Sequence, residues 1–158
     1  MSRLVEWPGP RREAAVALGF DPLPYASGSV TEVVAHDTLA GLPASVWRRV
    51  VYEDAAGRER TEVTVWRPRV HLLGEVWRFL AVDGVLVAET PARPPTWGAD
   101  PRHEAPAWTE AAWTIYSGED DPRARALGLP GVFVLLEQLW VGRGRSVLRT
   151  VARKGRAL

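Results

Sequence analysis

The sequence contains no cysteine. That excludes disulfides, thiolate metal sites, iron–sulfur clusters and cysteine nucleophiles together, and it leaves the redox compartment undetermined. Asparagine is also absent, Gln138 is the single glutamine, and the basic residues are nearly all arginine. Such a mixture suits a GC-rich genome or a warm habitat and points to no activity. Long apolar runs are missing too: none is longer than that at Val132 to Leu136, which is far too short to span a bilayer. Met1 to Gly19 carries Glu6, Arg11, Arg12 and Glu13 and has no hydrophobic signal core. The expectation is a soluble cytoplasmic protein. With 158 residues and no repeat, low-complexity tract or linker, residues 1–158 read as a single domain, large enough to bury roughly 68–70% of the unfolded chain's surface.

Motifs for chemistry are equally sparse. His36, His71 and His103 are too scattered for a metal centre. His71 and Glu75 have helical i,i+4 spacing, but their segment reads as strand or turn. Glu119-Asp120-Asp121 fits an acidic helix start as well as a hard cation. Ser27-Gly28-Ser29 and Ser117-Gly118 lack the strand-turn-helix setting of a nucleophile elbow, and Gly142-Arg143-Gly144 is no phosphate loop. No metal and no cofactor is expected. Glu89 and Glu110 are carboxylates with the potential to act as acid or base in a cavity, although nothing in the sequence pairs them.

What is present is strand texture, turns and tryptophan. Leu4 to Trp7 reads as a strand stopped by Pro8-Gly9-Pro10, and Pro10 to Gly19 as a short helix with proline first and glycine last. Another strand is expected from Ser29 to Val34. Val46 to Tyr52 and Thr61 to Trp66 form a hairpin around Asp54-Ala55-Ala56-Gly57, and Val76 to Leu80 with Val85 to Ala88 form a second around Val82-Asp83-Gly84. Pro91 to Pro106 contains five prolines and reads as irregular. Ala107 to Tyr116 is expected as a strand, and Asp121-Pro122 opens a short helix that Gly128 closes.

Gly131 to Leu158 reads as a long amphipathic helix, with Phe133, Leu136, Trp140, Gly144, Val147 and Val151 on one stripe. The rival is two strands joined by Gly142-Arg143-Gly144-Arg145, with Val147, Arg149, Val151 and Arg153 on one face. Two interior glycines, at about 1 kcal/mol each, argue for the rival. The persistence of the 3,4,4,3,4 stripe argues for the helix.

This element order, with the opening Trp7-Pro8-Gly9-Pro10-Arg11-Arg12-Glu13-Ala14-Ala15-Val16 and the closing Gly131 to Leu158 helix, resembles the helix-grip superfamily of START domains and polyketide cyclases. The resemblance implies an α+β fold: a seven-stranded curved antiparallel sheet gripping a long C-terminal helix, with a short N-terminal helix and a cavity between sheet and helix. It departs from the pattern in its proline-rich segment and in leaving little room for a second short helix after Gly19.

Three functions follow as expectations. The first is a non-catalytic protein binding an apolar or amphipathic small molecule, with Trp47, Trp66, Trp77, Trp113, Tyr116, Phe133 and Trp140 lining the cavity, against the plain alternative that these aromatics are core. The second is a single-stranded nucleic-acid-binding module. It would use the one-signed block Arg143, Arg145, Arg149, Arg153, Lys154 and Arg156 with exposed tryptophans, against a solvated helix face meeting its own dipole. The third is a cyclase-like enzyme using a cavity carboxylate. Oligomeric state is open.

Overall fold

The computed structural model describes residues 4–7, 23–36, 38–42, 46–91, 109–118, 121–144 and 146–158. In chain order the elements are β1 (Leu4–Trp7), β2 (Val30–His36), α1 (Thr38–Gly41), β3 (Val46–Glu53), β4 (Glu59–Trp66), α2 (Pro68–Phe79) and β5 (Leu80–Pro91). A 3₁₀ turn (Glu110–Trp113), α3 (Thr114–Ser117), α4 (Asp121–Ala126), β6 (Gly131–Val141) and β7 (Val147–Ala157) follow. The helix expected at 10–19, Trp97 and most of the proline-rich segment lie outside the described residues.

Five strands make one sheet in the order β1-β2-β5-β7-β6, and β3 and β4 make a separate two-stranded sheet. β1, β2 and β5 are parallel, and β7 runs antiparallel between β5 and β6. This overturns the expected seven-stranded antiparallel sheet around a C-terminal helix. The last quarter of the chain is a β-hairpin, and the reason lies in its two glycines. Gly142 and Gly144 adopt φ of +82° and +68°, a left-handed turn geometry that ends a helix and closes a hairpin. Val147, Arg149, Val151 and Arg153 then share a face of β7, while Leu148, Thr150 and Ala152 are buried on the other.

α2 replaces the first arm of the second expected hairpin. Pro68 starts it, where its missing N–H costs nothing. Leu72, Leu73, Val76 and Phe79 then fall at helical spacing and are fully buried. The turn chemistry at Asp83-Gly84 is real but serves another purpose. Asp83 has φ of +61°, and a Cβ on Gly84 would sit 3.0 Å from the Ala81 carbonyl oxygen. The result is an irregularity in the pairing of β5 with β2, between Val30/Leu80 and Glu32/Val85, with β5 leaving α2 directly. The expected strand at 107–116 is, where described, the 3₁₀ turn and α3.

The core lies on one face of the sheet. Val33 and Ala35 of β2, Leu86 and Ala88 of β5, Leu148 and Ala152 of β7, and Phe133 of β6 pack there with α2, Leu39, Leu42, Trp113 and Tyr116. The opposite face is less covered: Val34, Val87 and Val151 are only half-buried, and Glu137 beside them is exposed.

Candidate functional site

In an open α/β sheet, ligands bind outside the carboxyl ends of the parallel strands, where loops leave room and backbone groups point outward. Here that end carries a polar pair. His36 closes β2 and stands in register with Glu89 of β5, so both project from the less covered face. The His36 Nδ1 and Glu89 Oε2 atoms lie 2.9 Å apart, which fixes the ring's orientation. Arg149 of β7 is the next register partner of Glu89, so the carboxylate's position lies between an imidazole and a guanidinium position. Behind the pair, buried Thr38 donates its hydroxyl to the His36 carbonyl at 3.2 Å, and Thr90 donates to Leu148 O at 3.2 Å.

A concavity lies elsewhere. A groove of about 470 Å³ runs along the outer side of α2, lined by Val65, Val70, Gly74, Trp77, Leu127 and Pro130, with Arg67, His71, Glu75, Gly128 and Arg78 completing it. It is flanked by the end of β4 and the 127–130 turn, and it is separate from the His36–Glu89 pair. The expected cavity beneath a C-terminal helix has no counterpart, since that helix is a hairpin. Among the candidate ligand aromatics whose side chains are described, Trp77 alone lines the groove. Its indole N–H donates to Val132 O at 3.1 Å, and the Lys154 ammonium sits 4.3 Å from its ring centroid. Trp113, Tyr116 and Phe133 are buried in the core. Half-buried Trp140 donates its indole N–H to Glu110. Trp47 and Trp66 are strand positions facing Val65 and Val46 across the β3–β4 hairpin.

The cationic block does not form one surface. In β7 Arg149 and Arg153 occupy one face, while Lys154 belongs to the other and gives its ammonium to Leu80 O at 2.6 Å. Arg153 lies 3.4 Å from Asp83, and Arg156 pairs with Asp121. Arg143 is exposed in the hairpin turn and Arg145 lies outside the described residues. Among the described residues no cluster of three metal-ligating side chains occurs, and no helix is long and apolar enough to cross a membrane.

Two features were missed in the sequence. His36 and Glu89 are 53 positions apart, and only parallel pairing brings them together. His71 and Glu75 have i,i+4 spacing, and because their segment is a helix rather than a strand, both line the groove.

Three parallel strands followed by an antiparallel pair define the class: an open α/β sheet with a reversed strand at one side. No known protein family and no curated protein matches the sequence. Among solved structures the fold is similar to a chain of the complex between the Haloferax volcanii Trm112 methyltransferase activator and a putative methyltransferase. The TM-score is 0.50 at 16% identity, over 87% of this chain and 59% of that one. This chain therefore spans about three-fifths of that relative's length. The [4+2]-cyclase SpnF matches with a TM-score of 0.44 at 13% identity, over 84% of this chain and 52% of that one.

Proposed function

We propose that this chain is the substrate-side portion of a methyltransferase-like α/β domain. A small molecule would bind at the carboxyl ends of β2 and β5, with His36 and Glu89 as the polar groups that orient it. The observation that carries this reading is the position of that pair. It is a hydrogen-bonded imidazole and carboxylate at 2.9 Å, at the end of the sheet where open α/β folds take their ligands. The likeness to the Haloferax volcanii complex of the Trm112 methyltransferase activator with a putative methyltransferase supports the fold class and suggests the methyltransferase-like reading. A histidine oriented by a carboxylate is suited to moving a proton from an attacking hydroxyl or amine.

The residues present do not fit a nucleoside-bearing methyl donor. Such donors sit on a glycine-rich turn between the first strand and its helix, where the strand order reverses. This sequence follows β1 with Pro8-Gly9-Pro10 and contains no G-x-G-x-x-G anywhere. Among the described residues β1 is an edge of the sheet, and the parallel strands run β1-β2-β5 without reversal. A donor site, and with it methyl transfer, needs residues beyond those described.

Protein-observed NMR tests both halves of the reading. Members of a small-molecule fragment library should shift the His36, Thr38 and Glu89 amides and lose that effect in His36→Ala, while S-adenosylmethionine should leave the isolated chain unchanged. Fragments that bind everywhere but the strand ends would defeat the proposal. Saturable donor binding by this chain would defeat the assignment to the substrate side.

A further inference from the structure

We propose that the groove beside α2 is a second ligand site, distinct from the strand-end pair, and that it takes an elongated amphipathic anion with its head at Arg67. α2 presents two stripes. Leu72, Leu73, Val76 and Phe79 face the core, and residues 70, 71, 74, 75 and 78, three or four apart, face the groove. At 1.5 Å per residue, the stretch from Arg67 to Arg78 is roughly 16 Å long, which suits an extended molecule better than a compact one. The dip in the middle is Gly74: a Cβ there would already lie 3.2 Å from the Pro130 ring, so a larger side chain would fill the groove.

The charges choose the ligand. The lining holds two arginines and one glutamate. Glu75 and Arg78 satisfy each other, with contacts of 2.9 and 2.7 Å, and Arg78 also donates to the Leu23 and Tyr25 carbonyls. That leaves Arg67, exposed at the start of α2, with no acidic partner among the described residues. The helix dipole adds positive potential at the same end. Between the two ends the wall carries His71 but is otherwise mainly apolar: Val65, still 39% exposed, with Val70, Leu127, Pro130 and the Trp77 ring. An anionic head with an apolar body satisfies the unpaired cation and covers that wall together.

Decanoate and decanol, titrated against the ¹⁵N-labelled chain, separate head from tail. Decanoate should shift the Val70, Gly74 and Gly128 amides and the Trp77 indole N–H, and decanol should do so about tenfold more weakly. Arg67→Ala should bring decanoate down to the level of decanol and leave decanol unchanged. Gly74→Leu should abolish both; Leu127→Glu, on the turn outside the helix, should weaken decanoate more than decanol. The proposal is overturned if decanoate leaves these resonances unmoved, if Arg67→Ala binds it as tightly as the parent chain, or if the shifts appear at His36 and Glu89 instead. That last result would leave the strand-end reading standing, whereas fragments missing His36 with decanoate still in the groove would leave only this one.

Discussion

Glu75 ties the segment before β2 to α2. Its carboxylate accepts from the Arg78 guanidinium and from the Leu23 backbone N–H at 3.0 Å. The Arg78 hydrogen bond holds the Glu75 pKa below the usual glutamate value, against the opposing push of burial and with the Leu23 amide assisting. A carboxylate with a depressed folded pKa contributes stability that is fully present above its unfolded pKa, about 4.3. That contribution is lost as pH falls through the lower folded value. Glu75→Gln should cost about 1–3 kcal/mol at neutral pH and should flatten the acid limb of the stability curve. Urea unfolding across a pH series checks this, and an acid limb parallel to the parent's would refute it. A second contact is steric. A Cβ on Gly131 would fall inside the Trp77 ring, and the ring cannot swing away without losing Val132 O and Lys154. Gly131→Ala should therefore destabilise by about 1–3 kcal/mol, and Trp77→Leu in the same chain should remove most of that penalty. Trp77 was legible in the sequence as a candidate ligand aromatic. That it would line a groove while Trp113 filled the core was not, because composition gives burial no address.

The β6–β7 hairpin shows how a local pattern misleads at the level of the element. Phe133, Leu136, Trp140, Val147 and Val151 are consistent with a 3.6-residue period, yet β6 has irregularities at 131/133 and 135/137 that break its own two-residue alternation. With the strand signal scrambled in β6, a helical stripe emerged by coincidence. The decisive residues were the glycines, whose positive φ helices do not use in their interior. Gly142→Ala should strain a backbone at φ +82° and bring its Cβ 2.9 Å from the Ser146 hydroxyl. Gly144, at φ +68°, has open space around it. The alanine at 142 should thus cost more than the one at 144, each at about 1 kcal/mol or above, measured as shifts in urea midpoint. Equal and negligible costs would mean that the turn tolerates another geometry. The β3–β4 hairpin, by contrast, was readable from sequence, because its arms are rich in β-branched and aromatic residues and Asp54 organises the turn, accepting from the Ala56 and Arg58 amides at 2.9 and 3.1 Å.

At the scale of the whole molecule, the sequence revealed strand character at β1 to β4 and in part of β5, but not the β6–β7 pair and not the strand order. Parallel pairing of 4–7 with 30–36 and of 30–36 with 80–91 depends on crossover connections that carry no local signature. The half-buried alternation of β2 and β5 reads as one face of an antiparallel sheet. The same order makes stability uneven. β5 is hydrogen-bonded on both sides, by β2 and β7, and Leu86 and Ala88 are buried in the core. Among the described residues β3 and β4 pair only with each other, and Val51, Tyr52, Val63 and Val65 are 51, 48, 59 and 39% exposed. An isolated two-stranded ribbon with apolar side chains in water has little to hold it closed. The hairpin should therefore open without unfolding the five-stranded sheet. In native-state hydrogen exchange, β3–β4 amides should open several kcal/mol below the global value, itself about 5–15 kcal/mol for a domain of this kind, while β5 and β7 amides exchange only through global unfolding. A common opening free energy for all four strands would mean that the hairpin is held by a surface its exposed valines do not reveal. A hairpin that opens alone would also vary the groove wall at Val65, so an amphipathic ligand seated against that wall should raise β3–β4 protection ahead of protection elsewhere.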